Sequence, residues 1–114
     1  MLVAFSVAPS GTHDDEGSLH DAVAAAVRIV RASGLPNHTD SMFTTIEGEW
    51  DEVFAVVKAA TEAVGAWGPR VSLVLKADIR SGRTGELTGK VERLEAALTE
   101  AAAPPAATAA TAAP

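Results

Sequence analysis

Cysteine and tyrosine are both missing from this 114-residue chain, and its aromatics are limited to two tryptophans and three phenylalanines. Without a thiol there can be no disulfide framework, no thiolate metal site, no redox CxxC pair and no cysteine nucleophile. A reducing compartment fits that composition best, so a cytoplasmic location is expected. Long apolar runs are lacking too. None approaches the roughly 20 residues that a membrane-crossing helix needs, so no membrane partner is expected. The apolar start, residues 1–9, has no basic flank and is short for the core of a signal peptide, and it reads instead as a first strand. Positive charge is the scarcer sign: nine Lys and Arg stand against fifteen Asp and Glu, for a net charge of −6. No basic patch is available to displace counterions from phosphates, which argues against nucleic acid and favours neutral or cationic partners.

What is present divides the chain in two. Residues 101–114 contain only alanine, proline and threonine. Such a segment cannot bury enough surface to order itself and is expected to be a disordered tail, leaving residues 1–100 as a single domain with one modest core.

Within that domain, residues 2–8 alternate larger side chains at Val3, Phe5 and Val7 with smaller ones at Ala4, Ser6 and Ala8, the period-2 pattern of a strand. A polar loop over 9–17 leads to Ser18, which with Asp21 resembles a capping box, and Leu19, Ala22, Val23, Ala26, Val27 and Val30 then recur at helical spacing. Ser33-Gly34 with Pro36 stops that helix. Residues 37–40 and 43–47 read as a hairpin, and the acids after Gly48 open a second helix with a stripe at Trp50, Val53, Phe54, Val57, Ala60 and Val64. Gly68-Pro69 breaks it near Ala66. A clear strand follows from Val71 to Arg80, then a loop over 81–85, then a helix with a narrow seam at Leu87, Val91, Leu94 and Leu98 and a Glu86/Lys90 pair.

The order is βαββαβ plus a C-terminal helix. It predicts an α+β, ferredoxin-like fold: a four-stranded antiparallel sheet with two helices on one face. Alternation places Val3, Phe5, Val7, Ile46, Leu73 and Leu75 under the helices. Leu2, Ala4, Ser6, Phe43, Thr45, Glu47, Ser72, Val74 and Lys76 fall on the open face. That face is too apolar for water, so a second subunit is expected to cover it, giving a dimer or tetramer with a small cavity between polar groups.

These residues carry a family resemblance. The first strand with Ser6 and Pro9, the Ser33-Gly34-Leu35 stop, the stretch from Met42 through TTIEGEWDEV, and the strand over 70–80 resemble the small thiamine-binding protein family, across roughly residues 1–98. The resemblance implies a ferredoxin-like domain that pairs sheet to sheet and holds thiamine, or its hydroxymethylpyrimidine portion, in the cytoplasm without catalysis. The chain departs from the family in reading Ser41-Met42-Phe43 where many members have Pro-Met-Gly, which places a bulky ring at the pocket mouth.

Thiamine presents donor and acceptor edges on its aminopyrimidine and a permanent positive charge on its thiazolium, so its site needs hydroxyls, an aromatic face and a carboxylate. On the ferredoxin-like strand order, Ser6, Phe43, Thr45, Glu47 and Ser72 supply that set. Each also has a plainer reading. Glu47 could meet Lys76 or water, Gly48 and its acids suffice as a turn and helix start, and Trp50 and Trp67 are more often packing anchors. His13, His20 and His38 lack metal spacing. The GELTGK run is one residue short of a phosphate loop, and Asp78 with Arg80 reads as an edge ion pair or a subunit contact. No catalytic residue, metal or cofactor is therefore expected. The rival readings are a small ferredoxin-like enzyme of isomerase or monooxygenase type, which lacks a general base here, and a structural oligomerisation module without ligand.

Overall fold

The computed structural model describes residues 1–10 and 16–100. Its elements are β1 (Leu2–Ser10), α1 (Glu16–Ala32), β2 (Asn37–Thr39), β3 (Thr44–Glu47), α2 (Trp50–Val64), β4 (Arg70–Asp78) and α3 (Glu86–Glu100), with a 3-10 turn, Gly65–Trp67, closing α2. The strands form one antiparallel sheet in the order β2-β3-β1-β4. This is the ferredoxin-like α+β arrangement that the element order predicts. The loop histidine His13 and the tail at 101–114 lie outside the described residues.

One face of the sheet is covered because its side chains alternate. Val3, Phe5 and Val7 of β1 and Ile46 of β3 join Ala22, Ala26 and Val30 of α1 and Val53, Val57, Ala60 and Val64 of α2 in one buried cluster. Alanines at 22, 26 and 60 let the two helices approach each other and the sheet closely. Leu75 packs against the cluster, whereas Leu73, expected with it, stays 42% exposed because β4 is an edge strand.

Local signals fix most of the boundaries. α1 begins at Glu16, ahead of the expected Ser18 cap, and β1 runs on to Ser10. The end of α1 is closed by Ser33, whose hydroxyl donates to the Val30 carbonyl (2.6 Å) and accepts from the Leu35 N–H (3.1 Å). Gly34 follows with φ of +79°, the left-handed cap that an L side chain would resist. At α2 the Glu52 carboxylate accepts from the Glu49 N–H (3.0 Å), half of a capping box. Gly48 has a packing role: a Cβ there would stand 3.1 Å from Val53 Cγ2 and 3.2 Å from Glu52 Oε1.

α3 is attached by its first turn. Two ion pairs expected from sequence spacing are replaced by others, of which Lys90–Asp78 links α3 to β4 and the Glu86 pairs stay within α3 and the turn before it. Glu86 does not pair with Lys90 but accepts from Arg93 (2.6 Å) and meets Arg83 (3.4 Å). Asp78 does not pair with Arg80; Lys90 reaches it at 2.6 Å. Beyond that turn Val91, Leu94 and Leu98 are all more than half exposed. The Arg93 guanidinium, helped by Arg83 and Arg80, holds the Glu86 carboxyl below its ordinary value of 4.5. A depressed carboxyl contributes stability above its unfolded value and loses it as pH falls through the folded one. The Glu86 pairs, which lie within α3 and the turn before it, should therefore steady the start of the helix at mildly acidic pH and be lost as pH falls below 4.5, and helicity followed by circular dichroism in wild type against Glu86→Gln checks this. Equal pH profiles for the two proteins would show that the Glu86 pairs do not stabilise the helix start.

Candidate functional site

The site begins with a mismatch of strand lengths. β3 pairs with β1 only from Leu2 to Phe5, whereas β4 follows β1 all the way to Ser10. Along Ser6, Val7 and Ala8 the side of β1 turned away from β4 has no strand beside it. Backbone donors and acceptors on such an edge need another partner, water or a ligand. The hairpin loop at 40–43 and the first half of α1 enclose this edge, leaving a cavity of about 320 Å³. That is near the lower end of the roughly 300–1,000 Å³ usual for small-molecule sites.

Its apolar wall comes from α1 and the loop. Leu19 and Val23 belong to the helical stripe but are 43% and 40% exposed, because they face the cavity and not the core. Met42 and Phe43 form the opposite side. Polar groups come from the hairpin. Thr39 and Thr44 are cross-strand partners whose hydroxyls lie 3.1 Å apart. One bond between two hydroxyls uses one proton and one lone pair, so the pair can still donate once and accept more than once.

Asp40 shapes the loop and charges its rim. Its Oδ1 accepts from the Met42 N–H (2.8 Å) and the Phe43 N–H (2.9 Å), and its own N–H donates to the Phe43 carbonyl (3.0 Å). This is an Asx-type turn, which needs a short side chain carrying an acceptor. The Phe43 N–H, followed by that of Met42, holds the Asp40 carboxyl below its ordinary value of 3.8. A carboxyl so stabilised is a poor proton acceptor and a persistent negative charge.

Of the five residues expected at a ligand, the structure brings Ser6 and Phe43 together here. Thr45, Glu47 and Ser72 are elsewhere. Thr45 lies half-buried between His38 and Ala4, and Ser72 is exposed on β4 opposite Ala8. Glu47 is buried, 6% exposed, with Oε2 accepting from the Glu86 N–H (2.8 Å) and Oε1 from the Leu87 N–H (3.1 Å). Its charge is committed to the positive end of α3. Thr39, Asp40 and Thr44 had no signal of their own in the sequence; the excess width of the α1 stripe was the available clue to the cavity. His20 also lines it, but among the described residues no group of His, Asp and Glu could hold a metal. No helix there is long and apolar enough to cross a membrane.

Comparison with known proteins places this geometry. The sequence profile of the thiamine-binding protein family matches residues 3–95. The chain belongs to that family. It is 54% identical over 96 residues to a UPF0045 protein of Mycobacterium bovis, covering 83% of this chain and 91% of the relative. Among solved structures it superposes on a hypothetical protein of Methanocaldococcus jannascii with TM-score 0.72 at 24% identity, covering 82% and 94% of the two chains, a likeness of fold. It also superposes, with TM-score 0.66 at 25% identity and 80% and 96% coverage, on a Thermotoga maritima protein proposed to act in thiamine biosynthesis or salvage. Membership in the thiamine-binding family supports a thiamine-related role.

Proposed function

We propose that this protein is a cytoplasmic binding protein that holds thiamine, or its hydroxymethylpyrimidine portion, in the cavity beside β1 without making or breaking bonds, and that a second copy closes the open sheet face. The unpaired β1 edge carries the reading. An aminopyrimidine has donors and acceptors in one plane, as a strand edge does, and the Thr39–Thr44 hydroxyls add adaptable partners at the same opening. Leu19, Val23 and Phe43 supply the apolar faces that a flat ring needs. The Asp40 charge at the rim suits a permanently cationic thiazolium. Its depressed carboxyl also makes Asp40 itself a poor general base, since such a base works best with a value near the operating pH.

Asp40→Asn tests this reading because it keeps the acceptor that builds the turn and removes the charge. By titration calorimetry, thiamine should bind the variant more weakly than wild type, and hydroxymethylpyrimidine, which has no cationic ring, should bind both alike. Equal thiamine affinities would take Asp40 out of the site. No binding of either compound by wild type at millimolar concentration would overturn the reading.

A further inference from the structure

At the other end of β1 the chain leaves β4 through a turn of fixed geometry. The Arg83 N–H donates to the Arg80 carbonyl (3.2 Å), and Gly82, third in the turn, has φ of +74°. These are the marks of a type II β-turn, whose first and last Cα atoms lie within about 7 Å. Its first and last residues are both arginines, and both line one cavity in a chain with a net charge of −6. A second cavity, of about 200 Å³, lies between this turn and the start of α2; Trp50, Ile79, Thr84 and Glu49 contribute to its wall.

The arginines are incompletely compensated. Among the described residues Arg80 makes no salt bridge. Arg83 meets Glu86 at 3.4 Å, while the other Glu86 oxygen is held by Arg93 at 2.6 Å. Glu49 is the one carboxylate in the lining, against two guanidinium groups. Beside them stands an aromatic surface. Trp50 is 54% exposed and stacks on Phe54, with ring centroids 5.2 Å apart and planes 19° from parallel. Phe54 thus braces the indole, leaving an ordered apolar platform at the cavity.

We propose that this second cavity binds a small aryl phosphate, Arg80 and Arg83 taking the phosphate oxygens and Trp50 with Ile79 taking the ring. Two separate guanidinium groups with up to five N–H donors each keep donors to spare beyond Glu49 and the single Glu86 oxygen that meets Arg83, which favours a phosphate. The volume admits a phosphate with a single ring and excludes a dinucleotide. The ligand is not the cationic vitamin, which the arginines would repel. Nor could one molecule fill both sites: Met1 lines this cavity and Ser6 the other, roughly 17 Å apart at the rise of a strand.

Phenyl phosphate is the probe, with inorganic phosphate and phenol as its two halves. Titration calorimetry on the full chain should show phenyl phosphate binding more tightly than either half, and binding should alter tryptophan emission. Arg80→Gln, which breaks no salt bridge among the described residues, should keep the wild-type melting temperature and weaken phenyl phosphate by about tenfold or more. Trp50→Leu should abolish the preference over inorganic phosphate while leaving inorganic phosphate bound. Equal affinity of wild type and folded Arg80→Gln for phenyl phosphate would overturn the proposal, as would wild type that binds inorganic phosphate and phenyl phosphate alike or binds neither at millimolar concentration.

Discussion

Glu47→Ala should lower folding stability by about 2–3 kcal/mol and release α3 from the sheet. The carboxylate sits at the end of β3 and accepts from two free N–H groups that open a helix 39 and 40 residues further on. Removing it leaves the Glu86 N–H, a buried contact, with no acceptor, and it removes the negative charge that the helix dipole favours. Beyond the exposed Lys90–Asp78 pair α3 has little else to hold it, since its seam residues Val91, Leu94 and Leu98 are exposed. A loss of this size is a large share of the roughly 5–15 kcal/mol that a small domain has in total. A thermal melt followed by circular dichroism reads the stability, and amide hydrogen exchange along α3 reads its release. Glu47→Gln should fall between, because its amide oxygen can replace one acceptor while its NH2 group faces the other N–H. Thiamine affinity of folded Glu47→Gln should match wild type, because the side chain is outside the cavity beside β1. A variant with wild-type stability and reduced thiamine affinity would return Glu47 to the ligand.

Glu47 also marks where sequence reading stops. Alternation along β3 puts it on the open face, and the structure agrees, but alternation cannot say that a distant helix start will arrive there. The ion pairs of α3 went a similar way: spacing joins Glu86 to Lys90, yet tertiary placement gives Lys90 to Asp78, and Glu86 pairs with Arg93 two turns along its own helix. Where local chemistry decides, the sequence was enough. Gly34 with Ser33 ends α1 as their chemistry demands, and the alternation in β1 sorts Val3, Phe5 and Val7 into the core. From those elements the strand order followed, because their sequence leaves few un-knotted arrangements. The cavity beside β1 depended on something subtler. It exists because β3 stops opposite Phe5 while β1 continues, and an end point off by two residues would close it. Parity nominated Ser6 and Phe43 for the open face, but they reach the cavity as part of the unpaired β1 edge and of the hairpin loop. Thr39 and Asp40 could not, because a threonine and an aspartate beside a turn look like ordinary hairpin chemistry.

Val74→Asp should abolish the proposed sheet-to-sheet assembly while leaving the subunit folded. Val74 pairs with Ser6 across β1 and β4 on the open face and is 55% exposed in the single chain, so a carboxylate there meets water and costs the monomer little. Its neighbours along β1 are Ala4, Ser6 and Ala8, small side chains that leave the face flat enough for a second sheet to approach. In a closed pair the same carboxylate would be desolvated without a partner, at a cost of several kcal/mol, and twice over when the contact is symmetric. Sedimentation at several concentrations should therefore show wild type as a dimer or larger and Val74→Asp as a monomer, with both melting cooperatively. Leu94→Glu on α3 separates the alternatives, since it places a charge on the exposed helical seam and leaves the sheet untouched. Dissociation by Leu94→Glu alone would assign the contact to α3, and retention of the wild-type mass by Val74→Asp would rule out the sheet. Ser6 borders both the cavity and this face, so thiamine titration of the monomeric variant then tells whether one subunit suffices to hold the ligand. Weaker binding by a folded Val74→Asp monomer would mean that the second copy completes the site.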